Sequence, residues 1–346
     1  MSSLASLTPI SPVLSVAAIG ALQKLDGLVA PLIPCAMVSP LYHQGTIFVE
    51  SSGQYLGAVG NAPASLTAPY TSTQTENPAT VAFACQRYEK GSPLIPDRVI
   101  ERSQFPLAEP KRHAAMIGRH LLLQLEARVA DMFQGGGFST ANLVDIGGGG
   151  VQWSSYATAK PDNDLVKMQT NFRTASGGYG VDADTIIIPQ ECLDAYRLCI
   201  QAQGIAVVTS GAANGSPLSV PDAVARIAGL TGMKVIVAKS RRRTSAPGVA
   251  LASSLIWTDT IWIGCLDGSA SSAGGDIQAD AIAALLVTED GSGMGIAAQH
   301  GEIPINVVEG RSSLPDVPGV RLGADLYTDE VRCDVLLGNR IADVLA

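Results

Sequence analysis

The stretch KRHAAMIGRHLLLQLEARVADMFQGGG, residues 111–137, carries the clearest periodic pattern in this chain. Its apolar side chains recur at steps of three or four, at Ile117, Leu121, Leu125, Val129, Met132 and Phe133. Such spacing places them on one face of an α-helix, with two prolines before the start and three glycines at the end. The pattern predicts a helix over residues 111–134, a rod about 36 Å long at about 1.5 Å per residue.

The composition indicates a chain that is covered by other molecules. Of its 346 residues, 47% are hydrophobic and only 16% are charged, against about 25% charged in ordinary globular proteins. A membrane span is not expected, because the most apolar stretch, residues 13–38, contains Lys24, Asp26, Pro31 and Pro34. Residues 1–12 also lack the basic flank of a signal peptide. Burial against partner subunits is therefore favoured.

The charge of the chain argues against gripping nucleic acid. The net charge is −8 and the pI is about 5.0, whereas phosphate binding calls for clustered Lys and Arg. One basic run, SRRRTS at residues 240–245, is interpreted as a solvated loop, or alternatively as a contact with a partner or a phosphate.

The cysteines and histidines do not predict a metal site. No CxxC motif occurs and there are only four histidines, so zinc spacing is absent. The cysteines are interpreted as small buried hydrophobes in a reduced, intracellular protein. They are Cys35, Cys85, Cys192, Cys199, Cys265 and Cys333.

The glycine run at Gly147–Gly150 follows a short apolar segment, as many nucleotide sites do. A dinucleotide site needs GxGxxG at the start of a helix, and a P-loop needs a Lys after its last glycine. Val151 and Gln152 follow here, and no helix is predicted before Pro161. The glycines are therefore interpreted as a flexible joint between domains.

No catalytic constellation is predicted. The serine-hydrolase motif GxSxG is absent. His113 and His120 are predicted on one face of the long helix with a surface or interface role, and Asp182–Asp184 is interpreted as a turn or cap. The sequence therefore predicts no catalytic, cofactor-binding or metal-binding residue, and no cofactor.

The other segments give an order of elements. Residues 1–44 are predicted to form an extended arm. Residues 45–51 and 79–91 are predicted to form a hairpin, whose connecting loop contains no Lys or Arg and is expected to project from the subunit. Further predicted helices are 162–173, 190–203 and 221–230. Predicted strands are 185–188, 233–238, 249–256, 260–265 and 327–337, the last followed by a turn at Gly338–Asn339.

This order resembles the major capsid proteins of tailed bacteriophages, which have the Hong Kong 97-type shell fold. The resemblance covers nearly the whole chain and includes Trp153 with PDNDLVKM (161–168), ADTIIIPQECLDAYR (183–197) and INVVEG (305–310). It implies an α+β fold with five parts. These are an N-terminal arm (1–44), an extended loop (45–94), a spine helix (111–134), a peripheral domain (95–150 and 301–346) and a mixed α/β axial domain (151–300).

The resemblance also implies a function. Such subunits self-assemble as pentamers and hexamers into an icosahedral shell that encloses double-stranded DNA without sequence-specific binding. The expected location is the virion, after assembly in the host bacterial cytoplasm, with a portal and, in some members, a decoration protein as partners. No enzymatic activity is expected.

Two departures from the family pattern refine these expectations. Residues 46–89 contain no Lys, so a Lys–Asn isopeptide crosslink from the extended loop is not expected. Residues 1–44 carry only Lys24 and Asp26 as formal charges, so a separate scaffolding protein is expected unless an upstream prosegment is missing. Two alternatives stay open: an encapsulin-type nanocompartment shell, and a cytosolic α/β enzyme built on residues 151–300.

Overall fold

The computed structural model describes residues 27–33, 35–38, 44–49, 79–84, 86–102, 108–135, 143–146, 149–175, 182–204, 218–245, 249–250, 252–266, 283–288, 306–311, 318–332 and 338–346. Its helices are α1 (Asp97–Arg102), α2 (Ala108–Gln134), α3 (Pro161–Ala175), α4 (Gln190–Ala202) and α5 (Val220–Thr231), with a 3₁₀ turn at Ala30–Leu32. Its strands are β1 (Cys35–Val38), β2 (Gln44–Val49), β3 (Ala79–Ala84), β4 (Gln86–Gly91), β5 (Ile95–Pro96), β6 (Leu143–Asp145), β7 (Thr185–Pro189), β8 (Lys234–Ala238), β9 (Arg241–Arg243), β10 (Ser253–Leu255), β11 (Ile261–Gly264), β12 (Ala283–Thr288), β13 (Asn306–Arg311), β14 (Gly319–Arg332) and β15 (Gly338–Ala342).

The long helix predicted from its apolar period is confirmed as α2. All six of the periodic side chains that predicted it are buried. The helix begins three residues earlier than predicted, at Ala108, because a proline at position 110 lies in the first turn, where it breaks no intrahelical hydrogen bond. At the other end, Gly135 donates its N–H to the carbonyl of Asp131.

A six-stranded sheet is organised around β14. This strand pairs with β13 and β12, and also with β4 and β5, all antiparallel. Its side chains at Val320, Leu322, Ala324 and Leu326 are buried, which is the alternation of a strand with one covered face. The closing strand was predicted over 327–337, and the structure places its start at Gly319; residues 333–337 lie outside the described part.

A five-stranded sheet has the order β6-β15-β11-β7-β8. The predicted strands 185–188, 233–238 and 260–265 are confirmed as β7, β8 and β11, and the three predicted helices as α3, α4 and α5. Trp262 of β11 packs edge-on against Phe133 of α2, with ring centroids 4.7 Å apart. The long helix therefore joins this sheet to the six-stranded one, since Arg128 of the same helix contacts Tyr88 of β4.

The two sheets cut across the predicted domain boundaries. β6 and β15 were assigned to the peripheral domain with 95–150 and 301–346, but they belong to the five-stranded sheet. β12 was assigned to the axial domain, but it lies beside β14. The predicted turn at Gly338–Asn339 instead opens β15, where the buried Asn339 donates to the carbonyl of Met168. Strand partners distant in sequence decide these memberships, and local residue patterns do not encode them.

The base of the predicted hairpin is confirmed. β2 and β3 pair antiparallel from Gln44 opposite Ala84 to Val49 opposite Ala79, and the connecting residues 50–78 lie outside the described part. In the predicted arm, residues 1–26 also lie outside it. The described arm residues do not stand apart, because Val29 and Ala30 are completely buried in the common core and β1 pairs in parallel with β12.

The predicted strand 249–256 is shorter in the structure. Only residues 253–255 form β10, and they pair antiparallel with β9. The run at Arg241–Arg243, predicted as a loop, is therefore a strand, although its side chains are exposed as expected. Among the described residues, no helix has both the length and the apolar character needed to cross a bilayer.

Candidate functional site: a buried carboxylate that joins arm, helix and sheet

Glu126 lies in the middle of α2 and is completely buried. Its carboxylate accepts hydrogen bonds from the backbone N–H groups of Val29, at 3.0 Å, and Ala30, at 2.8 Å. It also accepts from the indole N–H of Trp257, at 2.7 Å, and from the hydroxyl of Ser240, at 3.3 Å. One side chain thus joins the arm, the long helix and the segments on either side of β9 and β10.

The described partners of Glu126 are neutral donors, so its environment is polar but carries no compensating charge. Burial raises the pKa of this carboxyl above its usual range, while the hydrogen bonds from Ala30, Val29, Trp257 and Ser240 act to lower it. Each of the four donors is itself buried and has its hydrogen-bonding requirement met by this carboxylate. The carboxylate therefore holds the segments that carry the donors in fixed positions relative to α2. The site is therefore a structural junction.

The sequence contained a signal for this junction that the helix prediction passed over. Glu126 follows Leu125 directly and lies one turn from Leu122, so it occupies the margin of the apolar stripe. A carboxylate at such a position is almost never buried without a partner. Its partners come from residues about 97 and 131 positions away, and no local pattern identifies them.

A second junction fixes the long helix to the six-stranded sheet. Arg128 donates to both carboxylate oxygens of Glu330, at 3.0 and 3.1 Å, and to the hydroxyl of Thr328, at 3.0 Å. Its guanidinium lies 3.6 Å from the ring centre of Tyr88. Close by on β14, Asp329 accepts the N–H of Ala84 at 2.7 Å, so the last residue of the hairpin strand β3 is tied to the same sheet.

Two aspartates of the stretch PDNDLVKM, in the first turn of α3, take part in a polar network that links three helices. Asp162 accepts from the hydroxyl of Tyr196 at 2.7 Å and from Arg226 at 2.6 Å. Asp164 accepts from the indole N–H of Trp153 at 3.1 Å. Burial raises the pKa of Tyr196, and the hydrogen bond to Asp162 raises it further, so the phenol stays protonated and serves as a donor. This network holds α3, α4 and α5 together.

The glycine run does not lie between two domains. On one side of it, β6 pairs with β15, and Ile146 donates to the carbonyl of Ala342. On the other side, Trp153 donates to the carbonyl of Val344 at 2.8 Å. Since both flanks are bonded to the same C-terminal segment, the predicted interdomain joint is wrong. Gly149 and Gly150 form an exposed turn at one sheet edge, and Gly147 and Gly148 lie outside the described residues.

The structure also places several of the other residues that were considered for chemistry. Cys192, Cys199 and Cys265 are buried free thiols, as predicted for these three. Asp184 accepts the N–H of Leu266 at 2.9 Å, and Asp182 pairs with Arg173 at 2.6 Å. Partial burial and the nearby Lys90 lower the pKa of His120. His43 and His300 lie outside the described residues, and the described part contains no group of three His, Cys, Asp or Glu that could hold a metal ion.

Comparison with known proteins supports the fold and nothing closer. No family model matches the chain, and no curated protein matches its sequence. Among solved structures, a phage-related protein from Bordetella bronchiseptica RB50 is similar over 98% of this chain and 99% of its own, with a TM-score of 0.66 and 14% identity.

Two further structures share the same architecture. A virus-like particle from Pyrococcus furiosus is similar over 95% of this chain and 97% of its own, with a TM-score of 0.53 and 10% identity. The capsid of Cyanophage P-SCSP1u is similar over 91% and 88%, with a TM-score of 0.53 and 10% identity. The expected Hong Kong 97-type capsid fold is confirmed.

Proposed function

We propose that this chain is the major capsid protein of a tailed bacteriophage. It assembles as pentamers and hexamers into an icosahedral head shell that encloses double-stranded DNA. The observation that carries this proposal is the end-to-end structural likeness to a phage-related protein and to a phage capsid, which leaves no large part of the chain for another task. The low charged fraction of 16% fits a subunit whose surface is largely covered by neighbours.

The hydrogen bonds that attach the arm and the hairpin to the core suit a subunit whose arm and hairpin contact neighbouring subunits. The base of the hairpin is held by Asp329, and the arm is held by Glu126. Both attachments lead to α2 or to the sheet that it covers. An arm and a hairpin that reach over adjacent subunits would then transmit their contacts directly to the core. A separate scaffolding protein and a portal are the partners that this function requires.

In this proposal the chain works by assembly and not by catalysis. Its location is the virion, after assembly in the bacterial cytoplasm. The buried polar groups described above bond to one another inside the subunit, which is what a structural role requires.

Electron microscopy of the purified chain tests the proposal. We expect pentamers, hexamers or closed particles, alone or with a co-expressed scaffolding protein. A chain that stays a soluble monomer at high concentration with scaffolding protein present contradicts it. As a finer test, deletion of residues 54–75 in the connecting loop should leave a folded subunit that forms no stable shells, because the hairpin base is bonded independently.

A second candidate is a cellular nanocompartment shell of the encapsulin type. A virus-like particle from the cellular organism Pyrococcus furiosus has the same fold, so a shell that is not a phage head stays a candidate. The contents of particles purified from the native source discriminate the two. Nuclease-protected double-stranded DNA supports the phage head, whereas a packaged enzyme without DNA supports the nanocompartment.

A further inference from the structure

The ribbon formed by β9 and β10 presents three consecutive arginines. Arg241, Arg242 and Arg243 lie opposite Leu255, Ser254 and Ser253, and all three arginines are exposed. Because side chains alternate along a strand, Arg241 and Arg243 lie on one face and Arg242 on the other. Both faces of the ribbon are therefore basic, in a chain whose net charge is −8.

The base of this ribbon is fixed in the core. Ile256 donates its N–H to the carbonyl of Ser240 at 2.9 Å, and the Ser240 hydroxyl donates to Glu126. Trp257, the next residue, is completely buried and donates to the same carboxylate. The arginines are thus held at a defined place, which lowers the entropy lost when they bind a partner.

The outer part of the ribbon is left uncovered by the described chain. Beyond the strands, Thr244 donates to the carbonyl of Ala252 at 2.9 Å, and Val249 is 62% exposed. Two-stranded ribbons are marginally stable alone in water. Neither Arg241 nor Arg242 forms an ion pair with a carboxylate of the described residues. Contact with an acidic surface would give these arginines carboxylate partners and would cover the exposed ribbon.

The same subunit carries an acidic corner, which comprises Glu191, Asp259 and Asp343. The N–H of Val344 donates to the carbonyl of Asp259 at 3.2 Å, which brings the end of β15 beside the turn before β11. The first turn of α4 joins them, because the thiol of Cys192, next to Glu191, lies 3.9 Å from the carbonyl oxygen of Thr258, next to Asp259. Glu191 and Asp343 are exposed, and Asp259 is partly exposed.

We propose that the β9–β10 ribbon of one subunit docks on the acidic corner of a second copy of this chain. A contact between two different patches of identical subunits is heterologous, and it closes into a ring when the rotation between copies permits. Arginine suits this contact because its planar fork binds carboxylates in pairs. The inference rests on the proposed shell function and names one contact within it.

Charge reversal and charge exchange test the contact in the full-length chain. The reversed ribbon is Arg241→Glu with Arg242→Glu, and the reversed corner is Glu191→Arg with Asp259→Arg. Each of these double variants should raise the concentration needed for assembly, by at least about tenfold for each close Arg–carboxylate ion pair that is lost. A chain with all four substitutions should recover assembly, because the complementarity is restored with its sign exchanged.

Two control variants separate this contact from general effects of charge. Arg241→Lys with Arg242→Lys keeps the positive charge but loses the paired hydrogen bonds, so it should raise the assembly concentration much less than the charge reversal does. Arg112→Glu reverses another arginine, whose side chain is 80% exposed, and should assemble normally. Circular dichroism and urea midpoints establish that each variant is folded. Arg241→Gln with Arg242→Gln is a neutral version of the ribbon, and its assembly should be weakened less than that of the reversed ribbon.

Sedimentation velocity and electron microscopy over a concentration series give the outcome. Loss in both reversed variants with recovery in the fourfold variant supports the contact. Normal assembly of the reversed ribbon overturns it, and so does a failure of the fourfold variant to recover. Normal particles from the reversed ribbon that retain less DNA would assign the arginines to nucleic acid instead. If the wild-type chain itself forms no particles, the shell function fails first, and the inference fails with it.

Discussion

Replacement of Glu126 by alanine removes the one acceptor shared by the arm, the long helix and the segments flanking the β9–β10 ribbon. Three buried N–H groups lose their partner, namely those of Val29, Ala30 and the Trp257 indole, together with the Ser240 hydroxyl. The hydroxyl can rotate to another acceptor, but the N–H groups are fixed by the backbone and by the packed ring.

The magnitude follows from these donors. Each buried donor left without a partner costs about 1–3 kcal/mol, so three give on the order of 3–9 kcal/mol. The lower part of that range is expected for two reasons. Water can enter the space that the side chain vacates. Removal of the carboxylate also relieves the desolvation that raises its pKa. We expect a loss of about 3–5 kcal/mol in the free energy of unfolding.

Urea unfolding of the unassembled full-length chain measures this loss, and hydrogen exchange locates it. The amides of Val29 and Ala30 should lose protection more than those in the middle of β11. Glu109→Ala is the matched control, because Glu109 lies on the same helix in a solvated pair with Arg112 at 3.8 Å; it should change stability by less than about 1 kcal/mol. An alanine variant within about 1 kcal/mol of the wild type, with protected arm amides, would refute the junction.

Three further predictions follow from single contacts. Because the folded-state pKa of Glu126 is raised, the folded chain binds this proton more tightly than the unfolded chain does, and the stability linked to the proton is lost as pH rises through that pKa. Wild type should therefore lose stability relative to Glu126→Gln as pH rises above about 4.3. Urea midpoints that show a constant difference or the opposite trend would contradict the direction of the shift. Gly150→Ala should be destabilising, since its Cβ would lie 2.9 Å from the carbonyl oxygen of the residue four positions earlier, whereas Gly149→Ala meets nothing within 4 Å; equal melting temperatures for the two would disprove the local crowding. Arg128→Lys should cost about 1–2 kcal/mol, because lysine cannot bond both carboxylate oxygens and stack on Tyr88 together, and thermal unfolding that matches wild type would show that the paired bonds contribute little.

Periodicity along the chain was sufficient to predict helices and strands in which one face, or both faces, are buried at regular intervals. The apolar steps from Ile117 to Phe133 predicted α2, and the run at 185–188 predicted β7, because one covered face of a helix or a buried strand leaves its period in the sequence. Local patterns failed at Gly338–Asn339. Glycine and asparagine are typical of turns, yet here they begin a buried strand whose requirements are met by β6, β11 and the carbonyl of Met168.

The glycine run shows the same division. Its spacing and the residues that follow it do not match a nucleotide-binding motif, so the sequence predicts no nucleotide site there. Whether it joined two domains depended on the partners of its flanks, and both flanks bond to the C-terminal segment.

The sequence by itself determined the order of the elements, the long helix, the hairpin and the absence of a recognisable catalytic motif, because these depend on residues close together in the chain. Only the tertiary structure decided which strands share a sheet, and that Glu126 gathers donors from segments 97 and 131 residues away. Hydrogen bonds between distant segments depend on where the folded backbone brings each group. A carboxylate in a helix is the same letter in the sequence whether it faces water or lies in the core.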